Sequence, residues 1–280
     1  MLLELFEYIL LGILQGITEP IPVSSSGHIL ILQTILEKFN QSINIDFSIL
    51  ATITNLGSLV AIIIIFWNDI VSLVKSFFTF VFKKDKRKTI KNLTNDYKYC
   101  WKIVIATIPA GVAGLIATKL NLLTTLEENV KFVGFMLLLT ALFLFLIKDF
   151  KGKKERDNIT FTDALIIGLC QMIAIIPGIS RSGATIVGGM FRNLNRSVAF
   201  NFSFILYIPI SIATSILGIK DLLELSISSS TFILYIISAL LAGMFTYIFT
   251  KWFAKIVKEG KLAYFSIYCL ILGLIVIIFL

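Results

Sequence analysis

The stretch GILQGITEPIPVSSSGH at residues 12–28 interrupts an apolar helix with two prolines and three consecutive serines. Proline disfavours helix at the residue before it, so the chain is predicted to leave the helix at Glu19 and Ile21. One of the serines at 24–26 is then placed to cap a second helix. Backbone outside a helix is costly in hydrocarbon unless protein covers it or it lines a wet cavity. This break therefore predicts a buried polar site.

A related stretch, GLCQMIAIIPGISRSG, occurs at residues 168–183. Pro177 and Gly178 break it in the middle, and Ser180 is predicted to cap the helix that follows. Aligned without gaps, the two stretches share six identities, which pair Gly12, Gln15, Ile17, Ser24, Ser26 and Gly27 with Gly168, Gln171, Ile173, Ser180, Ser182 and Gly183. Matches at polar positions are not explained by shared hydrophobicity, so the chain is predicted to contain an internal repeat.

The rest of the chain is mostly apolar. Of its 280 residues, 57% are hydrophobic and 15% are charged, and its mean hydropathy is +0.92. Soluble domains carry roughly a quarter charged residues, so the composition predicts an all-α polytopic membrane protein forming a single integral membrane domain over 1–280. Six transmembrane helices are predicted at 46–68, 99–119, 130–148, 198–220, 230–250 and 262–280. Segment 70–82 is amphipathic and is predicted to lie along the membrane interface.

The basic residues predict which way the chain is threaded. Of 25 Lys and Arg residues, 20 lie in 83–102, 148–156 and 251–261 or are Lys75, Arg192 and Arg196. The positive-inside rule places the loops 83–98, 148–157 and 251–261 in the cytoplasm. The net charge of +8 is thus explained by basic loops that set the orientation of the chain in the membrane. No aromatic residues alternate with these cations, so no nucleic-acid partner is expected.

The two broken segments then have defined places in the membrane. To satisfy this topology, 1–38 is predicted to be a re-entrant hairpin from the outer face and 161–192 a re-entrant hairpin from the inner face. The first repeat is 1–148 and the second is 158–280, each with one hairpin and three spans. An odd number of crossings inverts the second repeat, and inverted-topology repeats bind their ligands near mid-membrane. The acidic start, MLLELFEYIL, lacks a basic signal-peptide region, so the first helix is expected to remain.

The side chains at the two breaks predict an anion site. Two helix starts that approach from opposite faces present free N–H groups and positive dipole ends. Arg181 adds a guanidinium that can hold two phosphate oxygens, and Ser180, Ser182 and Thr185 add hydroxyl groups. An arginine at the bilayer centre costs roughly 2.5–3.5 kcal/mol. We therefore expect Arg181 to have a partner, either Glu19 or an anionic ligand.

Gln15 and Glu19 lie four residues apart, on one face of a helix. One carboxylate and one amide oxygen beside a phosphate site suit a hard cation such as Mg²⁺ or Ca²⁺. The alternative is that both side chains only satisfy backbone groups of the hairpin.

The chain's single histidine, His28, follows the serines at once. Histidine can act as a general acid or base or accept a phosphoryl group. Alternatively Ser25 or Ser26 is the nucleophile and His28 its base. Ser24 and Ser26 are also candidates for substrate binding.

QGITEPIPVSSSGH and IPGISRSGAT resemble the two signature regions of the bacterial undecaprenyl-diphosphate phosphatase family, which is linked to bacitracin resistance. The resemblance implies hydrolysis of undecaprenyl diphosphate with Mg²⁺ or Ca²⁺ at the outer face of the plasma membrane. It assigns metal and diphosphate binding to Gln15 and Glu19, and catalysis to Ser25 and His28. It assigns phosphate binding to Ser180, Arg181, Ser182 and Thr185. Many members have Glu where this chain has Gln15, so the metal role rests mainly on Glu19.

Two other functions fit parts of the pattern. A lipid-carrier flippase or anion transporter would use the same mid-membrane phosphate site, but it would not need His28 or Glu19. A structural scaffold would not need a buried arginine. Substrate lipid and membrane lipids are the expected partners, and glycine-lined spans would permit a homodimer.

Overall fold

The computed structural model describes residues 2–39, 45–87, 92–120, 122, 126, 129–223 and 228–280. Within these residues the chain is helical and has no β-strand; an isolated bridge joins Lys154 to Leu194. The α-helices whose bounds it gives are α1 (Leu2–Thr18), α2 (Ser25–Phe39), α3 (Phe47–Ile65), α4 (Trp67–Phe82), α5 (Leu93–Lys119), α6 (Val130–Ile147), α7 (Phe161–Ile173), α8 (Arg181–Phe191), α9 (Arg196–Leu223), α10 (Ser229–Glu259) and α11 (Ala263–Phe279). The predicted all-α fold is confirmed for the described part of the chain.

Within the described residues, five helices, α3, α5, α6, α9 and α10, are long and apolar enough to cross a membrane. Five of the six predicted spans fall on these helices. The sixth, predicted at 262–280, corresponds to α11, an apolar helix of 17 residues. Large apolar side chains such as Ile64, Ile108 and Ile271 are more than half exposed on the outer faces of the bundle. Such a surface is suited to lipid, and the molecule is therefore a polytopic membrane protein.

Several helices differ in length from the predicted spans. Helix α10 continues through most of the basic segment 251–261, and α5 begins at Leu93, inside the predicted loop 83–98. The predicted span 46–68 is divided at Phe66, where α3 ends and α4 begins. The amphipathic segment 70–82 is helical as part of α4 and packs against α5. Its position along the membrane interface stays a prediction.

Both predicted helix breaks are present. Helix α1 ends at Thr18 and α2 begins at Ser25, while α7 ends at Ile173 and α8 begins at Arg181. The first break ends with Ser24 at φ 68°, and the second turns at Gly178, whose φ is 92°. A positive φ costs little in glycine and more in serine, so the surrounding contacts must hold Ser24 in place.

The helices that lead into the breaks cross their neighbours at matched glycines. Helix α1 packs against α10, and α7 packs against α5. A Cβ atom on Gly12 would lie 2.6 Å from the Ser238 carbonyl oxygen, and one on Gly168 would lie 2.4 Å from that of Ala106. Gly12 and Gly168 are paired in the sequence alignment, so their equal roles favour the predicted repeat. The halves 1–148 and 158–280 and their inverted orientation stay predictions.

A buried carboxylate ties together the two ends of the second broken segment. Asp163, in the first turn of α7, is 0% exposed and forms ion pairs of 2.8 Å with Lys154 and with Arg192, which follows α8. It also completes a capping box with Thr160. Asp163 therefore joins the start of α7 to Lys154 before it and to Arg192 at the end of α8.

Candidate active site

The two helix breaks meet inside the bundle. A Cβ atom on Gly27, in the first turn of α2, would lie 3.3 Å from the Gly178 Cα atom of the other break. The Ser182 hydroxyl donates to the Ile21 carbonyl oxygen at 3.3 Å. Segments more than 150 residues apart in sequence thus form one polar centre.

Each of the two helix starts has a serine cap, as predicted. The Ser24 hydroxyl accepts from the Gly27 N–H at 3.3 Å, and the Ser180 hydroxyl accepts from the Gly183 N–H at 3.1 Å. A second hydroxyl lies 3.3 Å from each cap, Ser26 beside Ser24 and Ser182 beside Ser180. The breaks therefore bring two positive helix ends, with their hydroxyl groups, to one region.

Glu19 and Arg181 form an ion pair across the two breaks, in which the Arg181 Nη2 group donates to Glu19 Oε1. The other carboxylate oxygen, Oε2, accepts from the Ser25 hydroxyl at 2.6 Å and from the Gln15 amide at 2.9 Å. The Glu19 side chain is 6% exposed and that of Arg181 is 26% exposed. Four predicted site residues therefore form a single hydrogen-bonded network.

Helix α9 supplies further contacts to Arg181 that no sequence motif indicates. The Arg181 Nη1 group donates to the Ser211 hydroxyl at 3.2 Å, and its guanidinium lies 4.3 Å from the centre of the Tyr207 ring. The Tyr207 hydroxyl in turn donates to Asn55 Oδ1 of α3 at 3.0 Å. Tyr207 and Ser211 are one helical turn apart, and polar side chains in an apolar span were the signal available for them.

Thr185 lies one turn further into α8. Its hydroxyl donates to the Arg181 carbonyl oxygen at 2.9 Å and lies 2.5 Å from the Ser203 hydroxyl of α9. Thr185 is 1% exposed. These contacts place Thr185 as a link between α8 and α9, behind the guanidinium.

A cavity of about 10 Å³ lies next to the Glu19–Arg181 pair, with Ser182, Ser203 and Tyr207 in its wall. This volume holds about one water molecule. A diphosphate is far larger than this cavity, and the Glu19 carboxylate lies against the Arg181 guanidinium beside it.

His28 belongs to a neighbouring set of contacts. Its Nδ1 atom lies 2.7 Å from the Ser24 carbonyl oxygen, and its Nε2 atom lies 2.7 Å from the Tyr268 hydroxyl of α11. Within the described part of the chain, no hydrogen bond joins His28 to Glu19, Ser25 or Arg181. The structure thus places Glu19, rather than His28, in contact with Ser25. No sequence motif marks Tyr268 as a site residue.

The donor set fits a hard divalent cation. The Gln15 Oε1 atom is buried without a hydrogen-bond partner, close to the Glu19 carboxylate that Gln15 Nε2 contacts. Within the described ranges, no three or more His, Cys, Asp or Glu side chains are grouped so that they could hold a metal ion by themselves. Magnesium is commonly held by one or two protein oxygens together with water and substrate phosphates. The Gln15 amide oxygen and the Glu19 carboxylate provide two such protein ligands.

Known proteins match nearly the whole chain. The family described as bacitracin resistance protein BacA matches residues 8–275. Undecaprenyl-diphosphatase 1 of Bacillus licheniformis is 40% identical over 277 residues, which cover 99% of this chain and 98% of the relative. Undecaprenyl-diphosphatase 2 of Bacillus thuringiensis is 38% identical over 276 residues, 99% of this chain and 98% of the relative. The undecaprenyl-diphosphatase of Oceanobacillus iheyensis is 37% identical over 274 residues, 98% of this chain and 96% of the relative. The matched region includes both helix breaks and every site residue described above.

Proposed function

The chain belongs to the bacitracin resistance protein BacA family, and on that premise we propose that it hydrolyses undecaprenyl diphosphate to undecaprenyl phosphate and inorganic phosphate. The observation that carries this proposal is the Glu19–Arg181 pair, with Ser25 on the same carboxylate, where two helix starts meet. This reaction recycles a lipid carrier for cell-wall synthesis and accords with the bacitracin resistance in the family's name.

Arg181 and the two helix starts bind the diphosphate in this proposal. The guanidinium can donate two parallel hydrogen bonds to phosphate oxygens, and the Tyr207 ring and Ser211 hydroxyl limit its orientations. Binding requires that Arg181 exchange the Glu19 carboxylate for phosphate. That exchange releases Glu19 to act as a base, so substrate binding and activation of the nucleophile are coupled.

Ser25 is the nucleophile that the geometry supports best. Glu19, 2.6 Å from the Ser25 hydroxyl, takes its proton as the serine oxygen attacks the terminal phosphorus. The bond between that phosphorus and the bridging oxygen breaks, and undecaprenyl phosphate leaves with the bond's electron pair. Water then cleaves the phosphoserine, which releases inorganic phosphate and restores Ser25. Arg181 and the helix ends stabilise the negative charge in both steps, and His28 is assigned to a proton transfer in the second.

Gln15 Oε1 and the Glu19 carboxylate are the groups that would hold Mg²⁺ or Ca²⁺. Such an ion supplies charge neutralisation on the diphosphate oxygens. The unpartnered, buried Gln15 oxygen supports this assignment, as does the preference of both ions for oxygen ligands.

We place the protein in the bacterial plasma membrane with its site open to the outer leaflet. The distribution of basic residues supports this orientation of the chain, because the loops 83–98, 148–157 and 251–261 together carry 16 of the 25 Lys and Arg residues. The lipid tail of the substrate would remain in the bilayer beside the bundle.

A transporter or flippase is the second candidate. It would need Arg181 and the helix ends to bind an anion, but not a serine hydroxyl on a buried carboxylate. The Ser25–Glu19 contact and the names of the relatives both favour the hydrolase.

The test is phosphate release from a prenyl diphosphate by the purified protein in detergent with Mg²⁺ or Ca²⁺. We expect release to be lost in Ser25→Ala and Glu19→Ala and retained in Glu37→Gln, whose exposed carboxylate contacts only Gln33 among the described hydrogen bonds. Absence of release by the unmodified protein with either cation would contradict the proposal. A phosphorylated Ser25 detected by mass spectrometry after rapid quenching would identify the nucleophile.

A further inference from the structure

Tyr268 of α11 covers His28. The two rings are nearly parallel, at 7°, with centres 5.6 Å apart, and the Tyr268 hydroxyl lies 2.7 Å from His28 Nε2. His28 is buried, whereas Tyr268 is 44% exposed. Tyr268 therefore forms the wall between His28 and the outside of the bundle.

Helix α11 is anchored beside the first break on both sides of Tyr268. The thiol of Cys269 lies 3.8 Å from the Pro22 carbonyl oxygen, and the Ser266 hydroxyl donates to the Ala141 carbonyl oxygen of α6 at 2.7 Å. These neighbours fix the backbone at Tyr268 relative to the PVSSSGH segment. The contact with His28 is therefore built into the packing of α11.

The partners of the imidazole determine which nitrogen carries its proton. The Ser24 carbonyl can only accept, so the Nδ1 atom that faces it must carry hydrogen. In the neutral ring Nε2 then has a lone pair and accepts from the Tyr268 hydroxyl. A group that orients the imidazole and fixes its tautomer can control its use as a base.

We propose that Tyr268 is a positioning residue for His28: the Ser24 carbonyl sets the Nδ1–H tautomer, and the Tyr268 hydroxyl donates to Nε2 and holds the ring with its Nε2 lone pair directed away from the buried backbone. This inference rests on the proposed function in one respect, the assignment of a proton transfer to His28. Tyr268 itself contacts no other candidate site residue through a described hydrogen bond. It acts on the reaction through the imidazole.

The first test is nuclear magnetic resonance of the imidazole. His28 is the chain's only histidine, so ¹⁵N-histidine labelling of protein purified through a histidine-free tag gives one pair of ring nitrogens. We expect a protonated Nδ1 and an Nε2 that accepts a hydrogen bond. In Tyr268→Phe, which keeps the stacked ring, we expect the Nε2 resonance to move downfield toward that of a free lone pair. Tyr264→Phe, 65% exposed on the same helix, is the matched control.

Kinetics provide the second test. Loss of one orienting hydrogen bond is expected to lower kcat roughly three- to tenfold in Tyr268→Phe, with KM changed less than about twofold. A proton on Nε2 in the unmodified protein would overturn the inference, as would a Tyr268→Phe protein with unchanged Nε2 resonance. Unchanged kcat in that variant would also overturn it. Because the resonance test needs no turnover, failure of the proposed hydrolysis would be recognised separately.

Discussion

Glu19 contacts residues from three parts of the sequence, and this makes it the most constrained side chain of the site. Gln15 lies one turn before it, Ser25 begins the next helix, and Arg181 comes from the other half of the chain. A single carboxylate thus links the helix break, the proposed nucleophile Ser25 and Arg181.

Replacing Glu19 with glutamine tests its role as a base. The amide keeps only one of the two acceptor oxygens and removes the charge opposite Arg181, so we expect the thermal unfolding midpoint to fall. It cannot accept the serine proton, so we expect kcat/KM to fall at least about 100-fold. Phosphate release and thermal unfolding in detergent measure the two effects. Equal activity in Glu19→Gln and Glu37→Gln would contradict this assignment.

Gln15→Glu tests the cation site without relying on turnover. A second carboxylate would lie next to Glu19, where the Gln15 amide now donates at 2.9 Å. Without a cation, like charges at that distance repel. We expect the unfolding midpoint of Gln15→Glu to be lower than that of the unmodified protein in EDTA and to recover with Mg²⁺. An unfolding midpoint that Mg²⁺ leaves unchanged would count against the cation assignment.

The sequence predicts the site residues at the helix breaks much better than those inside the long helices. Gln15, Glu19, Ser25 and Arg181 were identifiable because they flank helix breaks. Tyr207, Ser211 and Tyr268 were not, because many polar side chains in spans simply bond to their own helix. Thr107 and Thr250, for example, donate to carbonyl oxygens four residues earlier. Only the arrangement of helices separates these two classes.

At the level of helices, the sequence indicates the two breaks near Pro20 and Pro177 but not the division at Phe66. Proline and glycine marked both breaks, and serine caps followed as predicted. The division of the predicted span 46–68 at Phe66 has no such marker in the sequence. Phe66 is 5% exposed and its ring packs against those of Phe200 and Phe204 of α9. This division comes from packing between distant segments, which local sequence patterns do not encode.

Helix crossings give a stability prediction with a matched control. Gly168→Ala would put a Cβ atom 2.4 Å from the Ala106 carbonyl oxygen, so α7 and α5 would have to separate. We expect a loss of about 1–3 kcal/mol in the free energy of unfolding. A Cβ atom on Gly111 of α5 would meet nothing within 4 Å. Gly111→Ala should therefore unfold at or above the temperature of the unmodified protein. If both variants unfold alike, the close crossing is not present in solution.

For the whole molecule, hydropathy predicts the order of the spans along the chain. It does not predict the residues at which the helices begin and end. Helix α10 continues to Glu259 through a segment with three lysines, which are good helix formers in water. Helix α5 begins at Leu93, ahead of the predicted span 99–119, because hydropathy reports only the apolar part of a helix. A Cβ atom on Gly111 or Gly114 would meet nothing within 4 Å, so these glycines contact no other helix of the described part of the chain there. The homodimer stays a prediction. The inverted orientation of the two halves also stays a prediction.

Orientation in the membrane can be measured by cysteine labelling in intact cells. In a background without Cys100, Cys170 and Cys269, we expect a cysteine at Lys153 to be protected from a membrane-impermeant reagent. A cysteine at Lys38 should be labelled, since Lys38 is exposed and predicted to lie outside. The positive-inside rule provides the reason. Labelling of position 153 before the cells are lysed would reverse the proposed orientation.

The Glu19–Arg181 ion pair has a consequence for turnover. Once inorganic phosphate has been cleaved from the lipid, it must compete for the guanidinium with a carboxylate that is tethered beside it and never diffuses away. With Arg181 as the proposed phosphate-binding residue, we expect the tethered Glu19 carboxylate to limit rebinding of the phosphate product. High external orthophosphate should slow such an enzyme only weakly, and catalytic cycles can follow one another even where the released phosphate accumulates.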